Sequence, residues 1–199
     1  MERQIIDCIQ GSDEWYEARL GLVTASRFKD VLSNGSGRKT YMMKLLAERD
    51  TGVPQETYKN EAMEMGNETE SFAREHYEKA TGVKVEQVGF IKWGEIGASP
   101  DGLVGDDGCI EIKCPYNSTH LGYIIKKKLP STYNAQVQGL LWVCERKWCD
   151  FISYAPMCKR PMWKIRVERD EPYIEALDIT VREFLDELHA LKEIVNMPF

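Results

Sequence analysis

No apolar run in the 199 residues approaches the ~20 residues that a membrane-spanning helix needs, so no membrane partner is expected. The opening Met1-Glu2-Arg3-Gln4-Ile5-Ile6-Asp7 lacks the apolar stretch of a signal peptide, and a cytoplasmic protein is the expectation. Cysteine is sparse: six residues, at 8, 109, 114, 144, 149 and 158, with no Cys-x-x-Cys pair. Without a secretory signal, reduced thiols are expected rather than disulfides. Cys144, Cys149 and Cys158 are irregularly spaced and read as buried free thiols, with no iron–sulfur cluster. The three histidines, 76, 120 and 189, show no zinc spacing. Basic residues do not predominate: 26 Lys and Arg stand against 32 Asp and Glu, for a net charge of −6. A nucleic-acid binder usually carries a basic footprint. Metal-binding carboxylates and acidic outer helices also lower the total, so local clusters decide. Arg38-Lys39 with Lys44, and Lys126-Lys127-Lys128, suit DNA contact, but a solvated face explains them equally. Repeats, low-complexity stretches and linkers are missing too, which leaves one domain over 1–199, large enough for a real core.

Against these absences one run stands out: Ser99-Pro100-Asp101-Gly102, then Glu111-Ile112-Lys113. Two carboxylates and a lysine are what a metal-dependent nuclease needs: hard oxygen ligands for Mg²⁺ and a cation beside the attacked phosphate. In a strand, Glu111 and Lys113 point to one face and Ile112 to the other. Gly105-Asp106-Asp107-Gly108 is a turn between apolar runs. A two-residue loop at Asp106-Asp107 sets Asp101 opposite Ile112, on the wrong face. A three-residue loop ending in a left-handed Gly108 sets Asp101 opposite Lys113, and all three groups then share a face. Pro100 allows a bend at Asp101 instead of a strand. The competing reading is a surface hairpin whose Glu111 and Lys113 form an exposed pair worth roughly 0–1 kcal/mol.

Ser12 caps a helix to about Leu20, ended by Gly21. Helices follow at about 25–32, 40–50 and 60–80, the last two closed by Gly52 and Gly82. The 60–80 helix carries a stripe of Ala62, Gly66, Thr69, Ala73, Tyr77 and Ala80. Strands are expected near 83–91, 102–104, 109–113, 148–154 and 163–168. Helices are expected near 119–127 and 132–144, and from Glu171 to Val195 with Pro172 in the first turn. Helices before and after a central mixed sheet make an α/β (α+β) layered domain.

Five segments in order, Arg19-Leu20-Gly21-Leu22-Val23-Thr24-Ala25-Ser26, Gly66-x-x-x-Glu70, Ser99-Pro100-Asp101-Gly102, Glu111-Ile112-Lys113-Cys114-Pro115 and Ala135-Gln136-Val137-Gln138, carry a resemblance. The chain resembles the YqaJ-like viral recombinase family, to which phage lambda exonuclease belongs, from about Trp15 to the final helix. The resemblance implies a restriction-endonuclease-like core and a 5′→3′ exonuclease acting on double-stranded DNA ends, of phage or prophage origin. It implies a homotrimeric ring threaded by DNA, and a single-strand annealing protein as partner in recombination. The chain is shorter at the N-terminus and between Lys113 and Tyr133, and has Met65 where the phage lambda member has Trp.

The metal ligands are then Asp101, Glu111 and the backbone carbonyl of Ile112, for up to two Mg²⁺ ions with Mn²⁺ as substitute. Lys113 orients the attacking water or acts as the base, which would need a depressed pKa. Glu70, chosen by resemblance among the six glutamates of its helix, borders the buried stripe and reaches a metal through water. Gln136, otherwise a structural amide, joins the site by resemblance and contacts the phosphate or a metal-bound water, with Tyr133 one turn earlier. Arg19, Thr24, Ser26 and Ser99 form a pocket for the 5′-phosphate. Arg19 brings a forked donor, and the hydroxyls flank a helix N-terminus. Without the resemblance, Arg19 in a salt bridge and Thr24 or Ser26 as a plain N-cap is the better reading. Trp15 stacks on a terminal base pair or packs in the core. An endonuclease on the same core, or a non-catalytic DNA-binding assembly protein, are the rival functions.

Overall fold

The computed structural model of the chain describes residues 2–55 and 61–197, with the backbone alone over 61–68. The side chains of Ala62 and Met65, and the packing at Gly66, therefore lie outside the described residues.

Eight strands form two four-stranded mixed sheets. In the first, β1 (Gln4–Ile6) pairs antiparallel with β3 (Phe90–Trp93). The latter pairs antiparallel with β4 (Ile96–Ala98), and β4 pairs parallel with β2 (Val23–Thr24). The second runs in chain order: β5 (Gly102–Val104), β6 (Gly108–Lys113), β7 (Trp148–Tyr154) and β8 (Met162–Glu168). Strands β6 and β7 are parallel, and the other two pairings are antiparallel. The parallel step needs a long crossover. It is made by α5 (Asn117–Lys126) and α6 (Asn134–Val143).

Strand β6 divides the core. Ile110 and Ile112 face one side, where they pack with Ala73 and Tyr77 of α4 (Glu61–Thr81) and with Ile152. Cys109 faces the other side, toward Phe151 and the apolar helix α6. This is the two-residue alternation expected of a strand buried on both faces. Around α6 the larger core also gathers Phe28 of α2 (Phe28–Val31), Tyr41 and Leu45 of α3 (Ser36–Thr51), and Leu177, Phe184 and Leu188 of α7 (Glu171–Val195). Arg38 is spent on structure: both of its terminal nitrogens lie 2.7 Å from the carboxylate of Glu187, clamping α3 to α7. Cys144 and Cys149 are buried, as expected of the thiols, whereas Cys158 is only half-buried.

Several expectations change. The single run at 83–91 is split between the sheets. Glu86 exchanges two backbone hydrogen bonds with Leu103 of β5, at 2.9 and 2.7 Å, and the chain then crosses to begin β3 at Phe90. The helix expected at 25–32 is a 3-10 turn (Ala25–Arg27) followed by the four residues of α2. Ala80 of the helical stripe is exposed, while Ala73 and Tyr77 are buried. Helix α1 (Asp13–Ala18) starts as expected, with Ser12 Oγ accepting from the Trp15 N–H at 3.3 Å.

Candidate active site

The β5–β6 hairpin registers Gly102 with Ile110 and Val104 with Gly108, so its loop is Gly105-Asp106-Asp107. The left-handed residue is Gly105, at φ +54°, not Gly108. Gly108 is required for another reason: a Cβ there would run into the Trp148 ring. The register thus aims Asp101 at Glu111 instead of Lys113. The correction is two residues, which preserves the face, so Asp101, Glu111 and Lys113 still converge. Asp101 itself sits in a bend, where Pro100 cannot supply an N–H to continue the ladder. Its carboxylate takes over, with Oδ2 accepting from the Ile112 N–H at 2.5 Å.

Glu111 is buried, at 1% exposure. Its Oε1 lies 2.5 Å from Lys113 Nζ and accepts from Gln136 Nε2 at 2.6 Å. Its Oε2 is buried with no hydrogen-bond partner. Lys113 also lies 5.5 Å from the centre of the Tyr133 ring, which packs at 5.1 Å on Phe151. Glu70 enters from α4, with Oε1 accepting from Arg74 at 2.8 Å. Burial pushes the Glu70 carboxyl up to about 7, with the Asp101 charge adding to the effect. Burial likewise raises Asp101, and raises Glu111 to about 8 against the pull of Lys113. Burial works against the Lys113 charge as well, but Glu111 and Asp101 together outweigh it and hold the ammonium above its usual range. A base of depressed pKa is therefore not what this environment makes of Lys113.

The four groups form a carboxylate-rich pocket short of positive charge, with one acid oxygen wholly unpartnered. Oxygen-only donors suit a hard divalent cation. Among the described residues, no three acid, thiol or imidazole groups already stand in ligand geometry. Lys113, Arg74 and the Ile112 N–H draw the carboxylates toward themselves.

The charge deficit has a consequence for stability. Glu70 and Glu111 hold protons in the folded state that the unfolded chain releases near 4.5. Folding stability of the metal-free protein is therefore expected to fall as pH rises from about 5 toward 8. Thermal melts in chelator should show this decline, and Glu111→Gln should flatten it. Added Mn²⁺ should raise the melting temperature most at the alkaline end.

The second expected cluster also assembles. The Arg19 guanidinium stacks 3.8 Å from the Trp15 ring centre, and Trp15 Nε1 donates to Ser99 Oγ at 2.8 Å. Trp15 is half-buried and belongs to this cluster, not to the core. Thr24 Oγ1 and Ser26 Oγ are 3.3 Å apart. Thr24 precedes the 3-10 turn without capping it through its side chain, and Ser26 lies inside that turn. The turn and α2 are too short to supply the helix N-terminus that the segment suggests. Side chains do that work instead. Arg19 and Thr24 share a small cavity of ≈ 30 Å³ with Arg27 and Lys44, two cations that sequence spacing does not place there.

The comparisons agree with this geometry. Residues 14–147 match the model of the YqaJ-like viral recombinase domain, two thirds of the chain. The chain belongs to the YqaJ-like viral recombinase family. The crystal structure of the alkaline exonuclease LHK-Exo from Laribacter hongkongensis superposes with a TM-score of 0.87 at 41% identity. It covers 92% of this chain and 96% of that one. The structure of LHK-Exo in complex with dAMP matches equally, at 0.87 and 41%. The phage related exonuclease from Haemophilus somnus 129PT shares the fold, with a TM-score of 0.70 at 16% identity, over 88% of this chain and 96% of that one. The expected restriction-endonuclease-like core is thus the β5–β8 sheet with α4 on one face and α6 on the other.

Proposed function

We propose that this YqaJ-family protein is a Mg²⁺-dependent 5′→3′ exonuclease. It degrades one strand of linear duplex DNA to nucleoside 5′-monophosphates and leaves 3′ overhangs for annealing-based recombination in a bacterial host. The observation that carries the reading is the unpartnered, buried Glu111 Oε2 beside Asp101, Glu70 and a charged Lys113. Likeness to the alkaline exonuclease LHK-Exo supports the reaction class, and that protein's complex with dAMP supports a mononucleotide product.

Asp101, Glu111 and the Ile112 carbonyl would hold the ion, with Glu70 reaching it through water and room for a second ion. When bound, Mg²⁺ or Mn²⁺ lowers the pKa of a water and stabilises charge on the leaving oxygen. Lys113 orients the attacking water and offsets charge that builds on the phosphate. Gln136 fixes Glu111 through its 2.6 Å hydrogen bond and faces the scissile phosphate. The Arg19, Thr24, Ser26 and Ser99 cluster, two residues from Asp101 in the chain at Ser99, receives the new 5′-phosphate. Trp15 backs Arg19 and Tyr133 backs Lys113.

Net charge −6 fits a closed ring of three copies, because only its inner wall need be basic. Light scattering is expected to give three times the 22.9 kDa chain mass, and a monomer at working concentration would refute the ring. The reaction itself is tested with linear and closed circular duplex in Mg²⁺ and in chelator. Loss of the linear form alone, and only with Mg²⁺, is the expected result. Cutting of the closed circle would make the protein an endonuclease, and no digestion at all would leave a DNA-binding assembly protein.

A further inference from the structure

Arg74 lies one helical turn beyond Glu70 on α4, and its side chain is 14% exposed. Its guanidinium is committed in three directions. One terminal nitrogen, Nη2, donates to Glu70 Oε1 at 2.8 Å, and Nε donates to the backbone carbonyl of Asp101 at 3.1 Å. The Gln87 amide, turned with its oxygen toward Arg74, accepts from Nη2 at 3.1 Å. One planar group thereby ties together α4, the bend that carries Asp101, and the segment ahead of β3. The helix is fixed from behind by buried Ala73 and Tyr77, and Tyr77 Oη donates to Asp150 Oδ2 at 2.8 Å. Glu70, Arg74, Gln87 and Asp101 together line a cleft of ≈ 570 Å³ open beside the carboxylates.

We propose that Arg74 is a positioning residue for the nuclease reaction: its fork fixes Glu70 against the Asp101 bend and so sets the spacing of the acid groups that face the reacting phosphate. The inference rests on the function proposed above. A Glu–Arg pair four residues apart on a helix ordinarily does no more than support that helix. Two observations set this one apart. The second bond of Arg74 ends on the main chain of Asp101, outside its own helix, and both partners of the pair are largely buried. Glu70 and Asp101 repel each other, so a shared donor is what holds them close. Lysine would keep the charge but present a point, not a planar fork that spans two acceptors.

Arg74→Lys in the full-length protein separates fork from charge. The expected result is a kcat lower by about ten- to a hundredfold, from the loss of charge-assisted bonds. KM for linear duplex should stay within about twofold. Calorimetry without DNA should show weaker Mn²⁺ binding, while the metal-free melting temperature stays close to wild type. In a Glu70→Gln background the same change should add little, because both act through one group. Wild-type kcat and Mn²⁺ affinity in Arg74→Lys would overturn the proposal. A defect confined to KM, or full additivity with Glu70→Gln, would do the same. Should the lysine variant melt early, Arg74→Gln keeps a planar donor and must show the same loss of kcat at unchanged KM, and wild-type turnover there also overturns it. If wild type digests no DNA in Mg²⁺, the nuclease reading fails, and the Mn²⁺ titration alone then decides whether Arg74 sets the carboxylate spacing.

Discussion

Asp101→Ala and Glu111→Ala are each expected to lower Mg²⁺-dependent digestion of linear duplex by at least about a thousandfold while leaving the fold intact. Both carboxylates sit at the end of the β5–β6 hairpin. Asp101 Oδ2 is anchored on the Ile112 N–H, and Glu111 is anchored by Lys113 and Gln136. Removing either takes away a hard oxygen donor that no neighbouring side chain replaces. The fold should survive because the loss relieves crowding: burial already raises both groups, and each carries more charge than its surroundings favour. Lys113→Ala should be nearly inactive for a different reason. It keeps the oxygen donors and so should still bind Mn²⁺, but it loses the ammonium 2.5 Å from Glu111 Oε1 that orients water and offsets phosphate charge. Circular dichroism, calorimetric Mn²⁺ binding and a digestion assay on the three variants separate these outcomes. Normal turnover in any one of them would sink the assignment.

Arg19→Ala is expected to erase most of the preference for a 5′-phosphorylated duplex over a 5′-hydroxyl one. The loss corresponds to roughly 1.5–3 kcal/mol, or about ten- to a hundredfold in relative rate. Arg19 stacks on Trp15, which in turn holds Ser99, and it shares a cavity with Thr24, Arg27 and Lys44. Of the three cations there, Arg19 is the one held against an indole that is itself tied to the segment of Asp101. Digestion of the hydroxyl duplex should change little, because the carboxylates are untouched. If wild type ignores the 5′ group, the pocket is not as described. If Arg19→Ala keeps the full preference, the phosphate is held elsewhere, with Arg27 and Lys44 the nearest alternatives.

How far sequence reaches depends on whether a feature is local. Glu111 and Lys113 are legible because strand alternation alone puts them on one face. The hairpin register is not, because Gly105 and Gly108 both flank Asp106-Asp107 and either could take the left-handed position. The Trp148 ring, on the neighbouring strand β7, decides the matter: Gly108 is spent on packing beneath it, and Gly105 is left to make the turn. Strands β1, β2 and β4 escape notice because two or three residues carry no periodicity, and they exist only through their partners. The run at 83–91 looks like one strand because apolar residues recur along it, yet its ends belong to different sheets. Glu70 needs the family resemblance to stand out among six glutamates. Arg74 is hidden for the same reason, since four-residue Glu–Arg spacing is what any solvated helix shows. Its one sequence signal is its place beside Ala73 in the buried stripe.

The nuclease assignment and its polarity are tested most directly by digesting linear duplexes labelled separately at the 5′ and the 3′ end, in Mg²⁺ and in chelator. The 5′ label should be released early as a mononucleotide, and only with Mg²⁺, while the 3′ label stays on a strand that shortens from its other end. Early release of the 3′ label, or equal digestion in chelator, would contradict this reading.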